Sequence, residues 1–203
     1  MYNTLMEERL EKYEAFIVAV TKELARMFEY QKEYMCCKPG CSLCCETGMY
    51  PFSQLEFDYL KLGFEGLRED TKRKVISNVK EISKDYKGEH FLHCCPFLIN
   101  GVCSVYQHRG IICRTHGLIT ENAEGKLTVP HCAGEGLNYG KVYNVETKRI
   151  DEEEVVKLGY QIMPKAYNVC RNNVMNLSLA KSLELDFGES RMLLEWMLDY
   201  IAE

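Results

Sequence analysis

The chain has 203 residues, 46% of them hydrophobic, which supports one apolar core with helical additions better than two full domains. A formal net charge of −5 argues against a general nucleic-acid binder, whose affinity comes from Lys and Arg on phosphates. No run approaches the ~18–20 apolar residues that span a bilayer, and Met1 to Leu10 carries Glu7, Glu8 and Arg9 with no apolar run behind them; the expected location is cytoplasmic.

Leu10, Tyr13, Ile17, Val20, Leu24 and Met27 recur at steps of three and four. This period predicts an amphipathic helix over residues 3–34. The repeat stops after a few heptads, so one face is expected to pack on its own domain rather than form a coiled-coil arm. Next comes Cys37-Lys38-Pro39-Gly40-Cys41-Ser42-Leu43-Cys44-Cys45, four thiols with a Pro-Gly turn between them. Ser53-Gln54-Leu55-Glu56 has capping-box form and opens a helix ending near Gly63. A more polar helix runs from about Arg68 to Tyr86, before Gly88.

From His90 to Cys132 the character changes, with five cysteines and all five histidines of the chain. Pro96 to Tyr106 reads as a hairpin turning at Asn100-Gly101, a pair suited to a type I′ turn. A second turn is expected at Asn122 to Gly125, with Lys126 to Val129 returning. Residues 141–150 suit a further strand. Asp151-Glu152-Glu153-Glu154 is an acidic first turn for a helix. Glu189 to Ile201 is a last helix, with Leu193, Leu194, Met197 and Ile201 on one face. The expected fold class is α+β, mainly helical, in a single domain. It has an N-terminal helix (1–35), a cysteine-rich metal-binding core with short hairpins (37–132) and a C-terminal helical part (150–203), with long helices at both ends.

Eleven cysteines cannot all pair, and closely spaced thiols in a reducing compartment hold metal more readily than they form disulfides. Thiolates select zinc or iron–sulfur clusters over hard cations. In extended backbone the adjacent Cys44 and Cys45 point to opposite sides, toward two different metal atoms. With Cys95, Cys103, Cys113 and Cys132, the run Cys37, Cys41, Cys44 and Cys45 gives eight candidate ligands. That suffices for two zincs, two four-iron clusters, or one of each. Cys36, Cys94 and Cys170 stand outside this set and read as small buried hydrophobes. Cys36 and Cys94 each precede a candidate ligand and are able to replace it.

His116 and His131 lie near Cys113 and Cys132, as ligands or outer partners or, more simply, as hydrogen-bonded histidines. His90, His93 and His108 rank lower. Arg109 and Arg114 flank Cys113. They either bond to backbone or a carboxylate, or act in cofactor binding by offsetting thiolate charge or holding an anionic substrate. Tyr106 reads as a hairpin packing residue rather than a catalytic acid. No residue carries a general-base or nucleophile signature, so no catalytic residue is assigned.

Cys37-x3-Cys41-x2-Cys44-Cys45, followed by Cys95-Pro96-Phe97-Leu98…Gly101-x-Cys103-x2-Tyr106-x2-Arg109…Cys113-Arg114, resembles the YkgJ-type cysteine-cluster family, also described as zinc- or iron-chelating. The likeness spans residues 37–132, and Cys132 resembles a later cysteine of many members. It implies that these cysteines are metal or iron–sulfur ligands. Flagellin lysine methyltransferases carry a similar motif with an iron–sulfur cluster. The family usually has Arg-Pro where this chain has Arg109-Gly110, and Gly frees a backbone that Pro fixes. Cys37-x3-Cys41-x2-Cys44 also has the spacing of the radical S-adenosylmethionine motif, but the strand–helix repeat of those barrels is missing.

The resulting expectation is a metal-binding protein holding a 4Fe–4S type of cluster, with a redox or transferase role: an oxidoreductase or a methyltransferase-like enzyme. The alternative is a non-enzymatic zinc-binding structural or interaction module. No nucleic acid and no membrane are expected as partners, and the chain is a monomer or homodimer. Substrate and protein partner are open.

Overall fold

The protein is described by a computed structural model covering residues 2–38, 40–88, 90–121 and 126–202, with side chains from residue 6 onward. The N-terminal stripe forms α1 (Tyr2–Tyr30), which buries Leu10, Tyr13, Phe16, Ile17, Val20 and Leu24 within the chain. The helix ends before residue 34, and Lys32–Tyr34 is a 3-10 turn. A single helical turn, α2 (Leu43–Glu46), lies in the cysteine run. Strand β1 (Pro51–Ser53) leads into α3 (Gln54–Glu65) through the expected capping box: Ser53 Oγ accepts from Glu56 N, and the Glu56 carboxylate accepts from Ser53 N at 2.9 Å. The next helix, α4 (Glu69–Ser83), places Glu69 and Asp70 in its first turn.

The hairpin of β2 (Leu98–Ile99) and β3 (Val102–Cys103) turns at Asn100 and Gly101, whose φ values of 53° and 75° are the two left-handed positions of a type I′ turn. Helix α5 (Ile111–Thr115) carries Cys113. Strands β4 (Thr120–Glu121) and β5 (Leu127–Thr128) pair as expected, while the turn at 122–125 lies outside the described residues. Residues 141–150 form a hairpin rather than one strand, β6 (Tyr143–Asn144) with β7 (Arg149–Ile150). Asn144 Oδ1 accepts from Glu146 N and Thr147 N, which turns the chain between them. Helix α6 (Glu152–Lys157) starts on the Asp151 cap.

Two short helices, α7 (Arg171–Met175) and α8 (Ser178–Ser182), follow. The C-terminus is not one long helix. Ser190–Met192 forms β8, antiparallel to β1, and α9 covers only Leu193–Ala202. The fold is α+β and mainly helical, with small two-stranded antiparallel sheets. No helix among the described residues is long and apolar enough to cross a membrane.

Three apolar clusters hold these elements. The first joins the α1 stripe to Leu55, Ile111, Leu118 and Phe187. The second gathers Phe52, Phe57, Phe97, Leu194 and Trp196, and includes Cys95. The third surrounds Tyr34, Ile119 and Tyr139.

One polar group bridges the first two. Glu56 is fully buried, at 0% exposure. Besides closing its capping box it accepts from Ile111 N at 2.8 Å, at the start of α5, and from Arg171 Nε at 2.8 Å, at the start of α7. A buried charge keeps its place only when every lone pair is met in this way. Glu56→Gln removes the charge opposite Arg171 while keeping the shape, so it should lower the unfolding free energy by about 3 kcal/mol in urea denaturation. A change below ~0.5 kcal/mol would contradict the role given to this carboxylate.

Candidate metal centre

Backbone bonds bring the cysteine run onto the second cysteine segment. Cys95 N donates to Cys45 O at 2.7 Å, and Gly48 and His93 exchange bonds of 3.0 and 3.1 Å. The Tyr50 hydroxyl lies 3.1 Å from Cys45 O and 3.2 Å from His93 O, within reach of both strands of this junction. Gly48 admits the Tyr50 ring, since a Cβ there would stand 3.0 Å from it.

The thiols then fall into two neighbourhoods. Cys45, Cys103 and Cys113 pack against the second apolar cluster, which contains Cys95. Cys95 is only 7% exposed. Burial, and then the adjacent thiols, push Cys95 well above the usual thiol range and Cys113 up to about 12. Cys37, Cys41 and Cys132 form the other neighbourhood, with Cys36 beside them. Burial pushes Cys132 up to about 11, and Cys37 and Cys41 add to it.

Cys44 reaches both sets. Its charge acts on Cys37 and also on Cys103 and Cys113. The extended backbone expected at Cys44 and Cys45 is instead the helical turn α2. Their thiols hydrogen-bond each other, which lowers Cys44 to about 7, with help from Arg109, and raises Cys45. Among the described residues no group of three or more His, Cys, Asp or Glu side chains stands in an array that holds a metal ion. The cysteines are free thiols brought into common neighbourhoods, short of coordination geometry. The donor set is nonetheless thiophilic in both places. Thiols that burial keeps protonated are those a bound cation would deprotonate.

Cys36, Cys94 and Cys170 are exposed, not buried hydrophobes as their isolation in the pattern suggested. Cys170 precedes α7 and Cys94 lies on the outer side of the Cys45–Cys95 junction. Cys36 has a specific setting created by Asn138. That residue is 5% exposed and left-handed, at φ 45°. Its side-chain oxygen accepts from Cys36 N at 2.8 Å, its backbone N–H donates to Cys36 Sγ at 3.3 Å, and its Nδ2 donates to Cys37 Sγ at 3.5 Å. The turn Asn138–Lys141 lies against the turn His131–Glu135, which carries Cys132. Gly140 permits this, because a Cβ there would meet Ala133 O at 2.2 Å. Nothing in Leu137-Asn138-Tyr139 distinguishes this asparagine in the sequence; only the fold places it on the two sulfurs.

Arg114 is 8% exposed and donates to Arg109 O at 3.0 Å, Thr21 Oγ1 at 3.0 Å and Gln107 O at 2.6 Å. It ties the loop before α5 to α1. Arg109 lies 3.7 Å over the Tyr106 ring, and its charge is felt at Cys44, Cys103 and Cys113. Tyr106 is therefore an exposed platform for a guanidinium rather than a packed hairpin residue.

Gly110 stands at φ −70° and ψ 176°, dihedrals that proline also adopts. The backbone freedom expected of it goes unused. Its lack of a side chain matters instead, since a Cβ would stand 2.7 Å from Phe52 and 3.0 Å from the Glu56 carboxylate. The His116 and His131 rings lie 5.6 Å apart. His116 Nε2 is buried without a hydrogen-bond partner, and burial, then His131, hold this imidazole below its ordinary pKa. His93 is buried between Phe91 and Tyr50, and His108 lies against Tyr59. His90 is exposed.

No family model, curated protein or solved structure matches the chain.

Asn138 offers a direct test of how the neighbourhood of Cys36 and Cys37 is held. Asn138→Ala loses the side-chain bonds to Cys36 N and Cys37 Sγ and strains a left-handed backbone, and should cost about 2 kcal/mol by denaturation. Asn138→Gly keeps the backbone and should recover about half of that loss. Equal stability of Ala and Gly variants would show that the φ of 45° carries no cost.

Proposed function

We propose that this chain is a thiolate metalloprotein that carries iron–sulfur clusters of the 4Fe–4S type. In this reading Cys37, Cys41, Cys44 and Cys132 serve one centre, and Cys45, Cys95, Cys103 and Cys113 serve the other. One observation carries it: each neighbourhood draws thiols from both the cysteine run and the later segment, which makes four donors apiece once Cys44 joins the first. Four thiolates suit a cubic cluster. The motif likeness to YkgJ-type proteins points the same way.

A bound cluster would supply one-electron chemistry or an iron able to hold a substrate. The chain's own residues would hold the thiols and balance their charge. Asn138 donates to Cys37, and Arg109 lies where it lowers the cost of thiolates at Cys44, Cys103 and Cys113. Arg114 supports the loop that carries Arg109. The proposed class is a cluster-dependent redox or group-transfer protein in a reducing, cytoplasmic setting that keeps unligated thiols reduced.

A zinc module is the second reading, favoured by the same count of four thiols per neighbourhood. Its metals would staple the segments between the helices, where the β-strands are only two or three residues long.

Anaerobic purification with iron, zinc and acid-labile sulfide analysis separates the two. The iron–sulfur reading expects a brown protein with iron and sulfide. Cys45→Ser with Cys113→Ser, and separately Cys37→Ser with Cys132→Ser, should each remove about half of the iron. A colourless protein with stoichiometric zinc would replace the first reading by the second. Absence of both metals would overturn both.

A further inference from the structure

A cleft of about 430 Å³ lies beside α1, between it and the loop that enters α5. That size is typical of small-molecule sites. Its lining mixes two chemistries. Leu24, Ala25, Phe28 and Met35 supply apolar surface, with Cys37 Sγ beside Phe28 and Met35, and Arg109 supplies a guanidinium. Gly117, at φ 110°, brings backbone close beneath this surface, where a Cβ would stand 3.2 Å from both Phe28 and Met35.

The charges lining the cleft are not equivalent. Glu29 and Lys32 pair with each other at 2.6 Å. Arg114 bonds to three acceptors of the protein. Arg109 has no carboxylate partner among the described residues, and its Nε is buried without a hydrogen-bond partner. The Tyr106 ring covers one face of its guanidinium and leaves the terminal Nη donors to a ligand. A carboxylate meets such a guanidinium through two parallel N–H donors.

We propose that this cleft binds a small organic carboxylate with an apolar tail, its carboxylate on Arg109 and its tail along Leu24, Ala25, Phe28 and Met35. The site stands on cavity shape and charge, independently of whether the thiols hold metal. Where they do, the cleft adjoins the thiols, because Cys37 lines it and the charge of Arg109 acts on Cys44, Cys103 and Cys113.

Titration calorimetry of the purified full chain with sodium octanoate tests the assignment, with octylamine as a probe of opposite charge and the metal content of each sample measured alongside. Octanoate should bind and octylamine should not. Arg109→Gln should weaken octanoate about 10–100-fold, the loss of a charge-assisted pair. Ala25→Trp, at an exposed position on α1, should fill the cleft and abolish binding at unchanged melting temperature. Lys32→Gln should leave the affinity within about twofold, since that lysine already serves Glu29. Absence of octanoate binding up to about 10 mM would overturn the proposal. So would unchanged affinity in Ala25→Trp, or equal binding of octanoate and octylamine. Binding by a metal-free protein would sustain the cleft and leave the cluster reading to fail on its own.

Discussion

The buried carboxylate of Glu56 is the constraint on which the remaining arrangement depends. It closes the N-terminus of α3, receives the first free N–H of α5 and faces Arg171 at the start of α7. None of these partners is dispensable, because an unmet carboxylate at 0% exposure costs several kcal/mol. The three elements must therefore assemble together. Through α5, Glu56 places Cys113 and the loop bearing Arg109. Through β1, it fixes the strand that follows Tyr50, and so the turn bearing Cys44 and Cys45. Gly110 belongs to the same constraint, since its missing side chain makes room for Phe52 and the carboxylate.

The thiols inherit their neighbourhoods from backbone bonds more than from contacts of their own. The Cys95–Cys45 bond and the Gly48–His93 pair join the two cysteine segments without any sulfur taking part. Among these thiols, burial opposes ionisation at Cys95, Cys113 and Cys132. Under the proposed function a bound cation would replace those protons and relieve the desolvation cost together. Arg109 and Asn138 both favour the ionised sulfur, one by charge and the other by N–H donors aimed at sulfur.

The features legible in the sequence were the local ones. The Ser53–Glu56 capping box, the Asn100-Gly101 turn and the α1 stripe each depend on residues a few positions apart, and each is in the structure as read. What escaped depends on distant partners or on very short elements. Strand β8 is three residues long and has no period of its own; it exists because β1 pairs with it. Glu56 announced itself as a cap, but its bonds to Ile111 and Arg171 leave no local trace. The grouping of the eight pattern cysteines was visible as spacing, whereas their division was not. It depends on the tertiary packing that gathers Cys45, Cys103 and Cys113 with Cys95 at one apolar cluster. Asn138 was invisible because a lone turn asparagine carries no motif.

The most direct test of the account is the ligand shell of the metal itself. X-ray absorption at the metal edge of anaerobically isolated protein should show a first shell of sulfur alone, at about 2.3 Å, with iron–iron scattering behind it. A first shell dominated by nitrogen or oxygen would contradict the claim that the two thiol neighbourhoods are the metal centres.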